Sequence, residues 1–220
     1  KVPETIISRC QGFTFKKATD TASKKMLMDG AKKEGFELDA GSAELLAILA
    51  DGSFRDGLGE LQKVLNFSKG KKVKREDVEA ITGAPKTKLV NDYISAIAEK
   101  NIEKGIKAVQ EASALNLDMK LYFKLIIEKF RMAIILRYAP KLKEEMTGDL
   151  GDSDLEFLET LVKKDPERSR HGGTDGAGKG MGMFNSSTLA ILLEAYQNMD
   201  NTFIAELPLE LALIKILSKE

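Results

Sequence analysis

Cysteine and histidine are almost absent: the 220 residues hold one of each, Cys10 and His171. One thiol excludes an internal disulfide framework and a multi-cysteine zinc site, and points to a reducing, cytoplasmic compartment. One imidazole excludes any site built on two or three histidines. Net charge is missing too. The 34 Lys+Arg balance 34 Asp+Glu, which disfavours general electrostatic binding to nucleic acid or to acidic membranes. No apolar run reaches the roughly 18 residues of a membrane span, so no membrane partner is expected. The chain opens Lys1-Val2-Pro3, with neither an initiator Met nor a charged-then-apolar leader, and reads as part of something longer. What is present, 43% apolar and 31% charged residues, suits a soluble globular chain of one or two domains.

The pattern is that of an all-α protein. Only the first fifteen residues hint at extended structure: Phe13 and Phe15 alternate with polar neighbours, as in a short half-buried strand. Helical spacing then predicts helices over about Asp20 to Lys33, ending at Gly35, and over Ser42 to Ala50, ending at Asp51-Gly52. A third starts at the N-cap hydroxyl of Ser53 and places Phe54, Leu58, Leu61 and Leu65 on one buried face. A basic loop and a short helix from Arg75 to Ile81 close this block. Gly83-Ala84-Pro85 is the boundary candidate.

Beyond it the helices lengthen, carrying Leu89, Tyr93 and Ile97, then Ile102, Ile106 and Val109. The longest, about Asp118 to Tyr138, has two apolar stripes and should be buried on both sides as the spine of a bundle. Ser153-Asp154-Leu155-Glu156 has the form of a capping box opening the next helix. Two more follow, about Ser187 to Met199 and Leu207 to Leu217, the latter with Pro208 in its first turn. Between them and the capping-box helix lies a glycine-rich insertion at about 166–183.

The chemistry-bearing candidates are few. Gly173 to Gly180 resembles a phosphate-binding loop around Lys179, but Gly180 stands where the magnesium-binding hydroxyl is required and no buried strand precedes it. A flexible linker is the better reading, with His171 a solvated loop residue. Lys69, Lys71, Lys72, Lys74 and Arg75 lack interleaved aromatics and read as a solvated turn rather than a nucleic-acid site. Arg55 is different. It sits in the first turn of the helix that Ser53 caps, where the helix dipole disfavours a cation by about 0.3–1 kcal/mol. An arginine there is either an ordinary surface residue or is placed to meet an anion such as phosphate. Arg9, between Ser8 and Cys10, is either exposed at a domain edge or paired with a partner.

Taken together, Val2-Pro3-Glu4-Thr5-Ile6-Ile7-Ser8-Arg9-Cys10-Gln11 with Phe13 and Phe15 resembles the end of the ATPase domain in bacterial clamp-loader gamma/tau subunits, AAA+ proteins of DNA polymerase III. Asp51-Gly52-Ser53-Phe54-Arg55-Asp56-Gly57-Leu58 resembles that family's sensor-2 segment, with Gly57 in place of its customary Ala. The helices after Pro85 are similar to its collar, including Leu207-Pro208-Leu209-Glu210-Leu211-Ala212-Leu213. The glycine-rich stretch matches no pattern of the family.

The resemblance implies an end of the ATPase domain over 1–18, a helical AAA+ lid over 19–84, and a collar over 85–220. It implies that Arg9 is an arginine finger acting in trans on a neighbour's ATP, and that Arg55 is sensor 2, reading the ATP phosphate in its own subunit. Its partners would be delta, delta-prime and further gamma/tau copies, with the sliding clamp and primed DNA as partners of the assembled complex. ATP and magnesium would serve the full-length protein, an ATPase subunit in DNA replication. The nucleotide-binding loop would precede Lys1, leaving this part without cofactor or activity of its own. The alternatives are the equivalent part of a delta-prime or other clamp-loader-like ATPase, or a free-standing helical scaffold.

Overall fold

The computed structural model describes residues 3–11, 13, 16–68, 70–142, 151–165 and 182–218. These residues are helical throughout, apart from a two-residue parallel pairing of Glu37–Leu38 (β1) with Lys72–Val73 (β2) and the connecting turns. After the short α1 (Glu4–Ile7) come α2 (Asp20–Lys33), α3 (Ala40–Ala50), α4 (Phe54–Phe67) and α5 (Arg75–Thr82). Their starts are set by side-chain acceptors that satisfy otherwise orphaned amides. Thr19 accepts from the Ala22 N–H at 3.2 Å, and Asp39 accepts from the Ser42 N–H at 2.6 Å. Helix α3 is apolar almost all round and is buried along most of its length, enclosed by α2, α4 and α5. It is the axis of this group.

The second group comprises α6 (Thr87–Ala98), α7 (Ile102–Ala114), α8 (Met119–Tyr138), α9 (Asp152–Lys164), α10 (Ser186–Gln197) and α11 (Leu207–Leu217). Helix α8 touches α6, α7, α9 and α10, as its two stripes require: Phe123, Phe130, Leu125 and Leu136 are all buried. Two tyrosines tie the bundle across sequence. The Tyr93 hydroxyl donates to the Leu209 carbonyl at 2.8 Å, and the Tyr122 hydroxyl to the Leu89 carbonyl at 2.9 Å. Burial, which disfavours phenolate, pushes both tyrosines above their usual range. One apolar cluster runs continuously from Leu27 to Ile216 through both groups. No helix among the described residues is long and apolar enough to cross a membrane.

Three expectations change. Residues Glu4–Ile7 are helical and Phe13 is 73% exposed, so no half-buried strand forms among the described residues there. A lone strand has no ladder to satisfy its backbone, and none stands beside it among the described residues. On α4 the buried line is Gly57, Leu61 and Val64, whereas Phe54 and Leu58 are about half exposed. A three-or-four spacing fits two adjacent lines on one helix, and α3 covers only one of them. Finally, Ser153 does not cap α9: the helix begins at Asp152 after Gly151, and Asp154 points inward. Phe15, Lys69 and residues 166–181 of the insertion, with His171 and Lys179, lie outside the described residues.

Close packing of α7 is a sharp steric constraint in the bundle. A Cβ on Gly105 would run into the Leu213 side chain and stand 3.2 Å from the Cβ of Ala96. Gly105→Val should therefore destabilise the fold by about 1–3 kcal/mol through overpacking, measured as a lowered urea midpoint at unchanged slope.

Candidate functional site

Arg55 is the second residue of α4, and its guanidinium is exposed. The Ser53 hydroxyl accepts from the Asp56 N–H at 3.3 Å, so the cap predicted from sequence is present. The helix start and the guanidinium carry positive charge on the same end, an arrangement suited to an anion. The turn before it is tightly constructed. Asp51 and Gly52 both adopt left-handed backbone conformations, with φ of 45° and 79°. The Ser53 N–H donates back to the Ala50 carbonyl at 2.8 Å, and the Gly52 carbonyl accepts from the Ala18 N–H at 3.2 Å. Gly57 lets α4 approach α3 closely: a Cβ there would lie 3.1 Å from the Cβ of Ala50.

The Asp51 carboxylate takes one lysine on each oxygen, Lys17 at 2.7 Å and Lys124 at 2.9 Å. Lys124, from α8, also donates to the Ile48 carbonyl at 3.2 Å. Hydrogen bonds from Lys17 first and Lys124 second lower the Asp51 pKa from 3.8 to about 2. Arg9 follows α1 on an exposed turn, its N–H bonded to the Ile6 carbonyl at 3.1 Å. No hydrogen bond or ion pair among the described residues brings Arg9 to Arg55 or to α4.

Sequence reasoning missed a buried ion network between the two helix groups. Asp154 of α9 accepts from Lys129 of α8 at 2.5 Å and from Arg75 of α5 at 3.2 Å. Arg75 also meets Glu44 of α3 at 3.3 Å and Glu79 at 3.5 Å. Arg75, placed in the sequence with the solvated basic turn, is only 15% exposed, and Lys129 and Asp154 are 7% and 6% exposed. The correction has a clear cause: three carboxylates from three helices converge on it. Burial raises the Glu44 pKa against the opposing pull of Arg75. Burial likewise lowers that of Lys129, outweighing the attraction of Asp154. The one available signal was Asp154 within an otherwise amphipathic helix start, which equally fits a cap.

The chemical reach of these groups is limited. Arg55 can supply one charge-assisted contact to a phosphate. The described residues contain no glycine-rich strand-to-helix loop that could cradle a nucleotide. The buried network joins helices and offers no free ligand.

No protein-family model matches the chain. The tau subunit of DNA polymerase III from Bacillus subtilis is 32% identical over 143 residues, which is 65% of this chain and 25% of that protein. A gamma/tau subunit of DNA polymerase III from Mycoplasma genitalium is 30% identical over 161 residues, 73% of this chain and 26% of the relative. That from Mycoplasma pneumoniae is 43% identical over 79 residues, 36% of this chain and 12% of the relative. The chain thus spans about a quarter or less of the length of these curated relatives. It belongs to the gamma/tau family of DNA polymerase III subunits.

Two measurements check the electrostatics. Asp154→Ala strands Lys129 and Arg75 without their shared anion and should cost about 3–5 kcal/mol in chemical denaturation; a loss below about 1 kcal/mol would contradict the buried pairing. The Asp51 carboxyl should titrate near pH 2 by NMR. Because its folded pKa is depressed, its contribution to stability is present above about 3.8 and fades as the pH falls through about 2.

Proposed function

We infer that this chain, a member of the gamma/tau family, serves as the lid and collar of a clamp-loader subunit, with residues 19–84 as lid and 85–220 as collar behind the end of an ATPase domain. The observation that carries the reading is the exposed Arg55 at the start of α4, within the family's sensor-2 pattern and just after the Asp51-Gly52 turn. In a gamma/tau chain that carries this segment behind its ATPase core, bound ATP with magnesium would supply the phosphoanhydride that is cleaved. Arg55 binds and orients the terminal phosphate in its own subunit through its planar fork. Arg9, on an exposed turn, projects into a neighbour's site and stabilises negative charge developing on the transferred phosphoryl group. Nucleotide state and subunit arrangement thereby become coupled.

The collar holds this subunit among delta, delta-prime and further gamma/tau copies. Apolar side chains left exposed on α10 and α11 support that role: Leu193 is 44% exposed, Leu211 54% and Ile214 41%. Phe203, before α11, is fully exposed. The assembled complex acts on the sliding clamp and primed DNA.

Light scattering coupled to size-exclusion chromatography tests the collar role. The chain should associate at high micromolar concentration, alone or on mixing with delta and delta-prime, and Leu211→Glu should weaken association without lowering the melting temperature. A strictly monomeric chain in every mixture would overturn the reading. The arginines separate by readout. In a gamma/tau chain with its ATPase core, Arg55→Ala should weaken ATP binding by about tenfold, and Arg9→Ala should lower turnover by roughly two to three orders of magnitude with ATP affinity kept.

A further inference from the structure

Helix α8 is tied to α3 at two places. Near the middle of α3 the tie is indirect, running from Lys129 through Asp154 and Arg75 to Glu44. At the C-terminus Lys124 reaches the Ile48 carbonyl and the Asp51 carboxylate directly. The two-residue turn Asp51–Gly52 then leads into α4, with Arg55 in its first turn. On its other side the turn is held by the preceding segment, through Lys17 to Asp51 and the Ala18 N–H to Gly52. Gly52 has no room to spare: a Cβ there would stand 3.0 Å from the Cβ of Lys17.

The left-handed conformation of Asp51 does not itself call for a carboxylate, since Asn adopts it as readily. Two lysines do. Each approaches a different oxygen, and they arrive from opposite directions in the chain, one from before α2 and one from α8. We propose that Asp51 is a positioning residue for Arg55, fixing the direction of the α4 start and tying it through Lys124 to the spine of the helical bundle. The orientation of Arg55 relative to α8 is then set through this turn, with no ligand contact from Asp51 itself. The inference rests on the reading of Arg55 as a phosphate-binding residue only for its consequence in ATP binding. The positioning stands or falls on this chain alone.

The test uses Asp51→Asn, which keeps the left-handed preference and removes the charge, together with Lys124→Met and the double variant. Amide hydrogen exchange at Ser53 and Gly57, whose N–H groups bond across the turn and in the first turn of α4, should accelerate about fivefold in either single variant. The double variant should show no further increase, and exchange at Leu45 and Ala47 in α3 should stay unchanged. Unaltered exchange at Ser53 and Gly57, or effects that simply add, would overturn the proposal. In a gamma/tau chain with its ATPase core, Asp51→Asn should raise KM for ATP by about fivefold with kcat little changed. Faster exchange with an unchanged KM would leave the positioning in place and remove the ATP role of Arg55.

Discussion

The structure depends on one buried carboxylate. Asp154 sits between Lys129 and Arg75 almost out of contact with water, and the three belong to α9, α8 and α5. Taking such charges out of water costs several kcal/mol per ion, so the arrangement holds only while each finds its counter-charge. That requirement fixes where α5 lies against the bundle, and Glu44 extends it to α3. Hydrophobic contact alone would let the two helix groups slide against each other. The ions specify a register. Burial pushes Glu44 up and Lys129 down, which marks the same site as dry from both signs of charge.

From this joint the arrangement propagates toward Arg55. The network meets α3 near its middle, at Glu44, and Lys124 of α8 meets its last turn at the Ile48 carbonyl. Beyond α3 the chain makes a turn of two left-handed residues whose carboxylate and carbonyl are both occupied. The exposed arginine at the start of α4 therefore follows a turn tied on both sides, to the segment before α2 and to α8. That is what a phosphate-binding side chain requires, since misplacement by about 1 Å costs much of a positioned interaction. Arg9 is mounted differently, on an exposed turn after four helical residues with no buried side chain. In the proposed assembly a neighbouring subunit would complete its surroundings.

Much of this was legible from residue order, and the exceptions share a cause. The helix start at Ser53 was readable, because the cap and its amide lie within three residues. The two stripes of α8 declared a helix buried on both sides for the same local reason. The pairing of Asp154 with Arg75 was missed because they lie 79 residues apart in sequence, and each had a plausible local role, within a capping-box pattern and as part of a basic run. Phe54 and Leu58 were misplaced because spacing identifies a face but not how wide a neighbour covers it. Phe13, exposed here, had the alternation of a strand without a sheet to join. Arg55 was suspected from its position at the wrong helix end, and the exposed guanidinium found there keeps that suspicion open to direct test.

If α2–α5 and α6–α11 form one body through the ion network, Arg55 moves with the bundle. Urea unfolding of this chain followed at resolved amides of Leu46 in α3 and Phe130 in α8, both buried, tests it most directly. A single body gives coincident transitions with one midpoint and one slope at both positions. A first transition that melts α3 while α8 stays folded would contradict it.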